Sequence, residues 1–240
     1  MKYALLFALG LLVGSAAQAN SLWDDAVSLF DSYGDLIPGH MEVAFDQYNG
    51  RGELVTSDRS TIAIWTDETG ETQSRVISAE RNGEDVTEER RDDPSSGAPP
   101  FGGPPDDDEE QSDNAFAGLA RSPFDPEEQD HVTITNIGPV EIVEGVRSQV
   151  FEFRHQTSDR ASNTGTAWLD TETGEPVLLR LSIEPLPRFI SEFEMEQYFA
   201  RDEQGRWVVR RLEFVGAGRI LFLQRRIESR LIFSEYFRSR

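Results

Sequence analysis

The chain has 240 residues, 44 acidic against 23 basic, a formal charge of −21, 38% hydrophobic residues and no cysteine. That length can bury a substantial core in one domain. Disulfides, thiolate nucleophiles and iron-sulfur clusters are excluded. Lys2 is the only lysine, so Schiff-base, phosphate-loop and Ser-x-x-Lys chemistry also drop out once the first residues are removed.

Residues 1–19 read as a secretory signal. Lys2 precedes an apolar run from Ala4 to Val13, and small residues end in Ala17-Gln18-Ala19, which places cleavage before Asn20. The apolar run is too short to span a bilayer, and no later stretch replaces it. The expected product is a soluble, exported, periplasmic monomer with no transmembrane segment. Its acids crowd the first half: Asn20 to Val150 holds 30 acids and 8 arginines, whereas Arg201 to Arg240 holds 5 acids and 10 arginines. The acidic half repels nucleic acid, which excludes that partner, and the arginine-rich end is expected to pair with it. An acid-rich, lysine-free exported chain also fits a salty habitat.

The first element is a helix from Leu22 to Tyr33. Trp23, Ala26, Val27, Phe30 and Tyr33 fall at helical spacing, with Asp24 and Asp25 in the first turn and Gly34 as the stop. Strands follow at His40–Tyr48, Glu53–Ser57, Thr61–Thr66 and Gln73–Glu80, punctuated by Asn49-Gly50, Asp58 and Glu68-Thr69-Gly70. Asp92 to Asn114 combines Pro, Gly and Ser with eight acids and no base, the composition of a disordered acidic loop. Its run Asp106 to Glu110 lacks the alternate spacing and turn glycine of a calcium loop.

Beyond it the strand signal is continuous: Val132–Ile137, Val140–Val143, Ser148–His155, Gly165–Asp170, Val177–Ile183, Phe193–Phe199, Trp207–Val215 and Ile220 onward. Strict alternation sets Glu192, Glu194 and Glu196 on one side, and Val177, Leu179, Leu181 and Ile183 on one face. One face of the sheet should be wet and the other greasy. Roughly eleven short antiparallel strands imply an α+β fold with a strongly curved sheet that must cover its apolar face. The early helix is the expected plug. A single helix does not fill such a sheet, and the remainder would be an apolar cavity.

Catalytic signals are thin. His40, His131 and His155 lack the local spacing of a zinc site. Gly216-Ala217-Gly218 has Leu221 where a nucleotide loop needs its third glycine, and reads as a bulge or turn. No Gly-x-Ser-x-Gly elbow occurs. The echo between Trp65-Thr-Asp67-Glu-Thr69-Gly70 and Trp168-Leu-Asp170-Thr-Glu-Thr173-Gly174 reads as two hairpin turns with Asp and Thr capping and Gly in the left-handed position, not as metal loops.

The segment Gly165-Thr-Ala-Trp168-Leu-Asp170, then Thr173-Gly174-Glu-Pro176, Pro185-Leu-Pro187, the strand from Glu192, the turn Glu203-Gln-Gly205, the strand from Trp207 and Phe233-Ser-Glu-Tyr236 resembles outer-membrane lipoprotein-sorting-type proteins. Asn82-Gly83-Glu-Asp85-Val-Thr87-Glu and Phe124-Asp-Pro126 extend the likeness over most of the chain. That superfamily includes the LolA and LolB carriers and the amino-terminal domain of the RseB regulator. The resemblance implies an open half-barrel closed by helices and a lipid-related envelope role.

The sequence therefore leads to a non-enzymatic protein, without cofactor or metal, that binds or shuttles a lipid or a lipoprotein's acyl chain. Burial of apolar area at about 25 cal/mol per Å² favours such binding without specific polar contacts. The expected lining is Leu179, Leu181, Phe193, Met195, Leu212, Phe214, Leu221 and Leu223. Leu186, Phe189 and Ile190 are the expected membrane or partner contact. The alternative is a sensor or scaffold that binds an envelope protein without carrying lipid.

Overall fold

The computed structural model describes residues 21–32, 36–92, 121–220 and 223–238. The leader, Tyr33 and Gly34, and the acidic segment from residue 93 through 114, with its Asp106–Glu110 run, lie outside them.

The opening helix, α1, covers 21–32. Its Leu22, Trp23 and Ala26 are buried, the one-sided stripe that the spacing predicted. Strands β2 (His40–Asn49), β3 (Leu54–Thr66) and β4 (Thr72–Arg81) follow, then a short β5 (Glu84–Asp85) and helix α2 (Thr87–Asp92). The second half opens with a 3-10 helix (Pro126–His131). It continues through β6 (Val132–Val143), β7 (Val146–Gln156), β8 (Ser162–Asp170), β9 (Pro176–Glu184), β10 (Ile190–Arg201), β11 (Trp207–Ile220) and β12 (Leu223–Ser234). A two-stranded ribbon pairs β1 (Leu36–Ile37) with β13 (Phe237–Arg238).

All strands from β2 to β12 form one antiparallel sheet in the order β5-β4-β3-β2-β12-β11-β10-β9-β8-β7-β6. The edge strands β5 and β6 do not pair with each other, so the sheet is an open, curved half-barrel of eleven strands. The two halves of the chain meet where β12 runs beside β2, from Arg225 opposite Asn49 to Ser234 opposite His40.

The core lies between α1 and the inner face of the sheet. Trp23 is 4% exposed, and its ring sits 5.0 Å from Phe124, 5.7 Å from Phe151 and 5.6 Å from Phe153. Around it pack Leu169, Leu179, Leu181, Ile183, Phe193, Met195 and Phe214. Gly165 lies on the same face. A Cβ there would run into the Arg180 carbonyl oxygen and reach within 2.8 Å of Phe153 Cζ, so glycine is what lets β8 pass under the aromatic cluster.

Several expected boundaries dissolve. Asp58 does not break β3, because its carboxylate accepts from Arg81 at 3.1 Å and pairs with Arg90 at 3.2 Å while the backbone stays in register opposite Phe45. Gly138 and Pro139 do not end β6; the ladder skips between Ile137 and Val140, and the Gln149 side chain donates to the Gly138 carbonyl at 2.6 Å. Gly216-Ala217-Gly218 is neither a turn nor a bulge, since β11 runs straight through it. The irregularity lies across from it at Ser191 of β10. Helix α2, unforeseen from the sequence, caps β4: Arg91 donates to the carbonyls of Val76 and Ile77, where the β3-β4 register shifts.

The outer face is not wholly wet either. Val150, Trp168 and Leu178 form a second buried cluster there, with Val143 and Tyr198 against it. Polar atoms seal its edge. Trp168 Nε1 donates to Glu141 at 2.8 Å, Arg180 stands 5.4 Å over the indole, and Arg180 also binds Glu196 at 2.6 Å. The alternating acids of β10 are thus partners for arginine rather than a bare solvated row.

Candidate ligand-binding cavity

The inner face of the sheet is not filled along its whole length. Beside α1, a cavity of about 360 Å³ opens between Phe30 of α1, Leu36 and Pro38 near β1, Leu179 and Leu181 of β9, Phe199 of β10, Val209 and Leu212 of β11, and Phe233 of β12. The size lies within the range of small-molecule pockets, roughly 300–1,000 Å³. Its lining is mostly apolar, with a few polar groups: Arg121, Ser122, Gln197 and Tyr236.

Each wall has a local cause. Phe199 and Trp207 stack at 4.5 Å with nearly parallel rings, and Trp207 Nε1 donates to the Pro176 carbonyl at 3.0 Å, anchoring the β10-β11 hairpin. Tyr236 donates its hydroxyl to the Val209 carbonyl. Burial, with the nearby Asp202 carboxylate, pushes the Tyr236 phenol well above its usual value, so it stays a neutral donor. Arg206 ties the region together by binding Asp202 at 2.6 Å and donating to the Tyr236 carbonyl at 2.6 Å.

Arg121, Ser122 and Pro123 form the remaining wall, and the residues up to His131 hold them in place. Pro123 and Phe124 are fully buried, and Gln129 donates to the carbonyls of Pro123 and Asp125 while accepting from Trp23 Nε1 at 3.1 Å. Glu128 binds His155 Nε2 at 3.0 Å and Arg121 at 3.4 Å. The hydrogen bond from His155 holds the Glu128 carboxyl below its ordinary range, with the Arg121 and His131 charges assisting against partial desolvation. His155 is therefore an internal strut. His40 lies 3.8 Å from Glu42, and His131 is exposed at the end of the 3-10 helix, so the three histidines do not converge.

The two hairpin turns are structural, as their chemistry implied. Asp67 accepts from the backbone of Thr69 and Glu71 and from the Thr69 hydroxyl, and Asp170 accepts from the Glu172 backbone at 2.7 Å. Gly70 and Gly174 carry φ of 88° and 73°, the left-handed conformation that favours glycine.

The sequence-derived candidates divide. Leu179, Leu181 and Leu212 line the cavity. Phe193, Met195 and Phe214 instead lie in the packed core beside it, because α1 and Phe124 cover that end of the same face. Leu221 and the Leu223 side chain lie outside the described residues. Of the proposed contact residues, Leu186 and Ile190 pack against the core, and only Phe189 projects, at 65% exposure.

Sequence reasoning missed Phe30, Phe199, Val209 and Phe233. For Val209 the reason is a bulge: Tyr198 pairs with Arg211 and Phe199 with Val209, leaving Arg210 over. That extra residue shifts the alternation, so Trp207 and Val209 join the face of Leu212 and Phe214.

No family model and no curated protein matches this chain. Seventeen chains of solved structures do. One is a LolA superfamily protein from Nitrosomonas europaea, 11% identical, covering 92% of this chain and 93% of that one, with a TM-score of 0.40. Another is an outer membrane lipoprotein-sorting protein domain, described as putative, from Vibrio parahaemolyticus, 9% identical, covering 90% and 93%, with a TM-score of 0.39. A third, a DUF1329 family protein from Desulfovibrio piger, is 11% identical, covering 91% and 92%, with a TM-score of 0.38. Among the described residues, no helix is long and apolar enough to cross a membrane.

Proposed function

We propose that this protein is a periplasmic binder or shuttle of a hydrophobic group, a lipid or a lipoprotein's acyl chain, held in the cavity between α1 and the inner face of β9 to β12. The observation that carries this reading is the lining itself: Phe30, Leu179, Leu181, Phe199, Leu212 and Phe233 present aliphatic and aromatic surface, while Arg121, Ser122, Gln197 and Tyr236 supply the few polar groups. An acyl chain entering such a space is favoured by about 25 cal/mol for each Å² of apolar area removed from water. Arg121 is half exposed, so it can meet a polar head while the chain lies inside.

The reading is of a carrier and not an enzyme. The polar side chains named around the cavity are engaged in structural pairs: His155 Nε2 with Glu128, Glu196 with Arg180 and Tyr198, and Asp202 with Arg206. Native mass spectrometry on protein released without detergent, with lipid identification after organic extraction, tests it. A discrete added mass of lipid or acyl chain is the expected result. A clean apo mass with no uptake of added lipid would overturn it.

A further inference from the structure

The loop between β9 and β10 and the far ends of β11 and β12 come together at one tip of the half-barrel. The backbone N–H of Arg219 donates to the Phe189 carbonyl at 2.9 Å. A Cβ at Gly218 would lie 2.5 Å from the same oxygen, so glycine permits this approach. Arg225 of β12 pairs with Gly218 in the ladder. Phe189 is 65% exposed, and Arg188 and Arg219 beside it are exposed as well.

Charge separates this tip from the rest of the molecule. From Phe214 to Ile227 the sequence has three arginines and no acid, and from Pro185 to Ser191 one arginine and no acid, in a chain with 44 acids. The flanking acids are already engaged: Glu184 with Arg154 at 3.5 Å and Glu192 with Arg226 at 3.1 Å. Among the described residues, no carboxylate stands within ion-pair distance of Arg188, Arg219 or Arg225.

We infer that this tip, which carries Phe189 together with Arg188, Arg219 and Arg225, docks on the surface of an anionic phospholipid bilayer. An exposed aromatic ring beside arginines is the chemistry of the membrane interface, where the ring enters the headgroup boundary and guanidinium groups meet phosphate. An acidic protein approaching a negative surface is repelled except at a basic end. Beyond about 8–10 Å in physiological salt the acidic bulk is screened, so the molecule presents this tip first. The inference concerns a surface apart from the cavity and stands without a cavity ligand.

Vesicle flotation tests it, with phosphatidylglycerol-phosphatidylethanolamine vesicles compared with phosphatidylcholine alone. The protein is expected to float with the anionic vesicles, weakly or not at all with phosphatidylcholine, and to be released by salt. The Arg188→Gln and Arg219→Gln substitutions each weaken anionic binding about fivefold, and Phe189→Ser weakens it about tenfold. Phe189 lies outside the core, so its variant folds, which a circular dichroism melt verifies. Leu212→Trp, which obstructs the cavity, leaves flotation unchanged. Equal binding to both vesicle types, no binding, or indifference to the tip substitutions would overturn the inference. So would loss of flotation in Leu212→Trp, which would assign capture to the cavity, or a photocrosslinker at position 189 that labels protein and no lipid in isolated envelopes.

Discussion

His155 Nε2 lies 3.0 Å from Glu128 Oε2 with the imidazole fully buried, so the interior of β7 is pinned to the 3-10 helix that follows the cavity-lining residues Arg121, Ser122 and Pro123. The carboxyl of Glu128, ordinarily near 4.5, is lowered by this bond. A carboxyl lowered in the folded state contributes stability above its ordinary value and loses it as pH falls through the lowered one. Glu128→Gln is therefore expected to cost about 1–3 kcal/mol at neutral pH and progressively less below pH ~4. Urea unfolding at several pH values measures this, and a penalty constant down to acid pH would contradict it.

Trp23 is the contact through which α1 closes the half-barrel, touching three phenylalanines and Gln129. Trp23→Ala is expected to destabilise by about 3–5 kcal/mol. Trp23→Phe keeps most of the packing and loses the bond to Gln129, about 1 kcal/mol. Chemical denaturation of both variants separates packing from hydrogen bonding.

Gly165→Ala places a methyl group where the Arg180 carbonyl and Phe153 already stand. Overpacking of this kind costs about 1–3 kcal/mol. Its φ is not in the left-handed region, so the loss is steric. The double variant Gly165→Ala, Phe153→Leu should recover part of it, and the same melt on all three proteins reads the outcome.

Leu212 lines the cavity and packs on the edge of the core, and Leu212→Trp adds volume to that wall. It should abolish uptake of a fluorescent fatty acid while shifting stability by less than about 1.5 kcal/mol. Phe193→Leu, in the packed cluster beside the cavity, should do the reverse, lowering stability with uptake retained.

The sheet was largely legible because alternation is a local signal. The face shared by Leu179, Leu181 and Ile183 is read directly from β9, whereas Val177 falls at a register shift, where Leu169 pairs with Pro176; the Asp-Thr-Gly turns announce their hairpins. What escaped was non-local. Asp58 looks like a strand breaker until Arg81 and Arg90 neutralise it from β4 and α2. Trp168 and Leu178 point away from the core yet bury each other, because Arg180 and Glu141 roof them over. The cavity wall was half legible for a similar reason. Leu179, Leu181 and Leu212 follow the period of two, whereas Val209 is brought in by a bulge, and Phe30 and Phe233 arrive from the helix and from β12, the strand beside β11 in the sheet.

The last strand of the eleven-stranded sheet, β12, is inserted between β2 and β11 rather than added at a rim. Until residues 223–234 arrive, β2 and β11 each have an unsatisfied edge, and the β2-to-β5 hairpins have no attachment to the β6-to-β11 meander. Closing the sheet joins Ser229 to Phe45 across most of the chain, a contact order that favours slow folding. The nascent protein is thus two sticky half-sheets awaiting one strand. A peptide of the β12 sequence, supplied in excess during refolding, would compete for that slot and hold the halves apart.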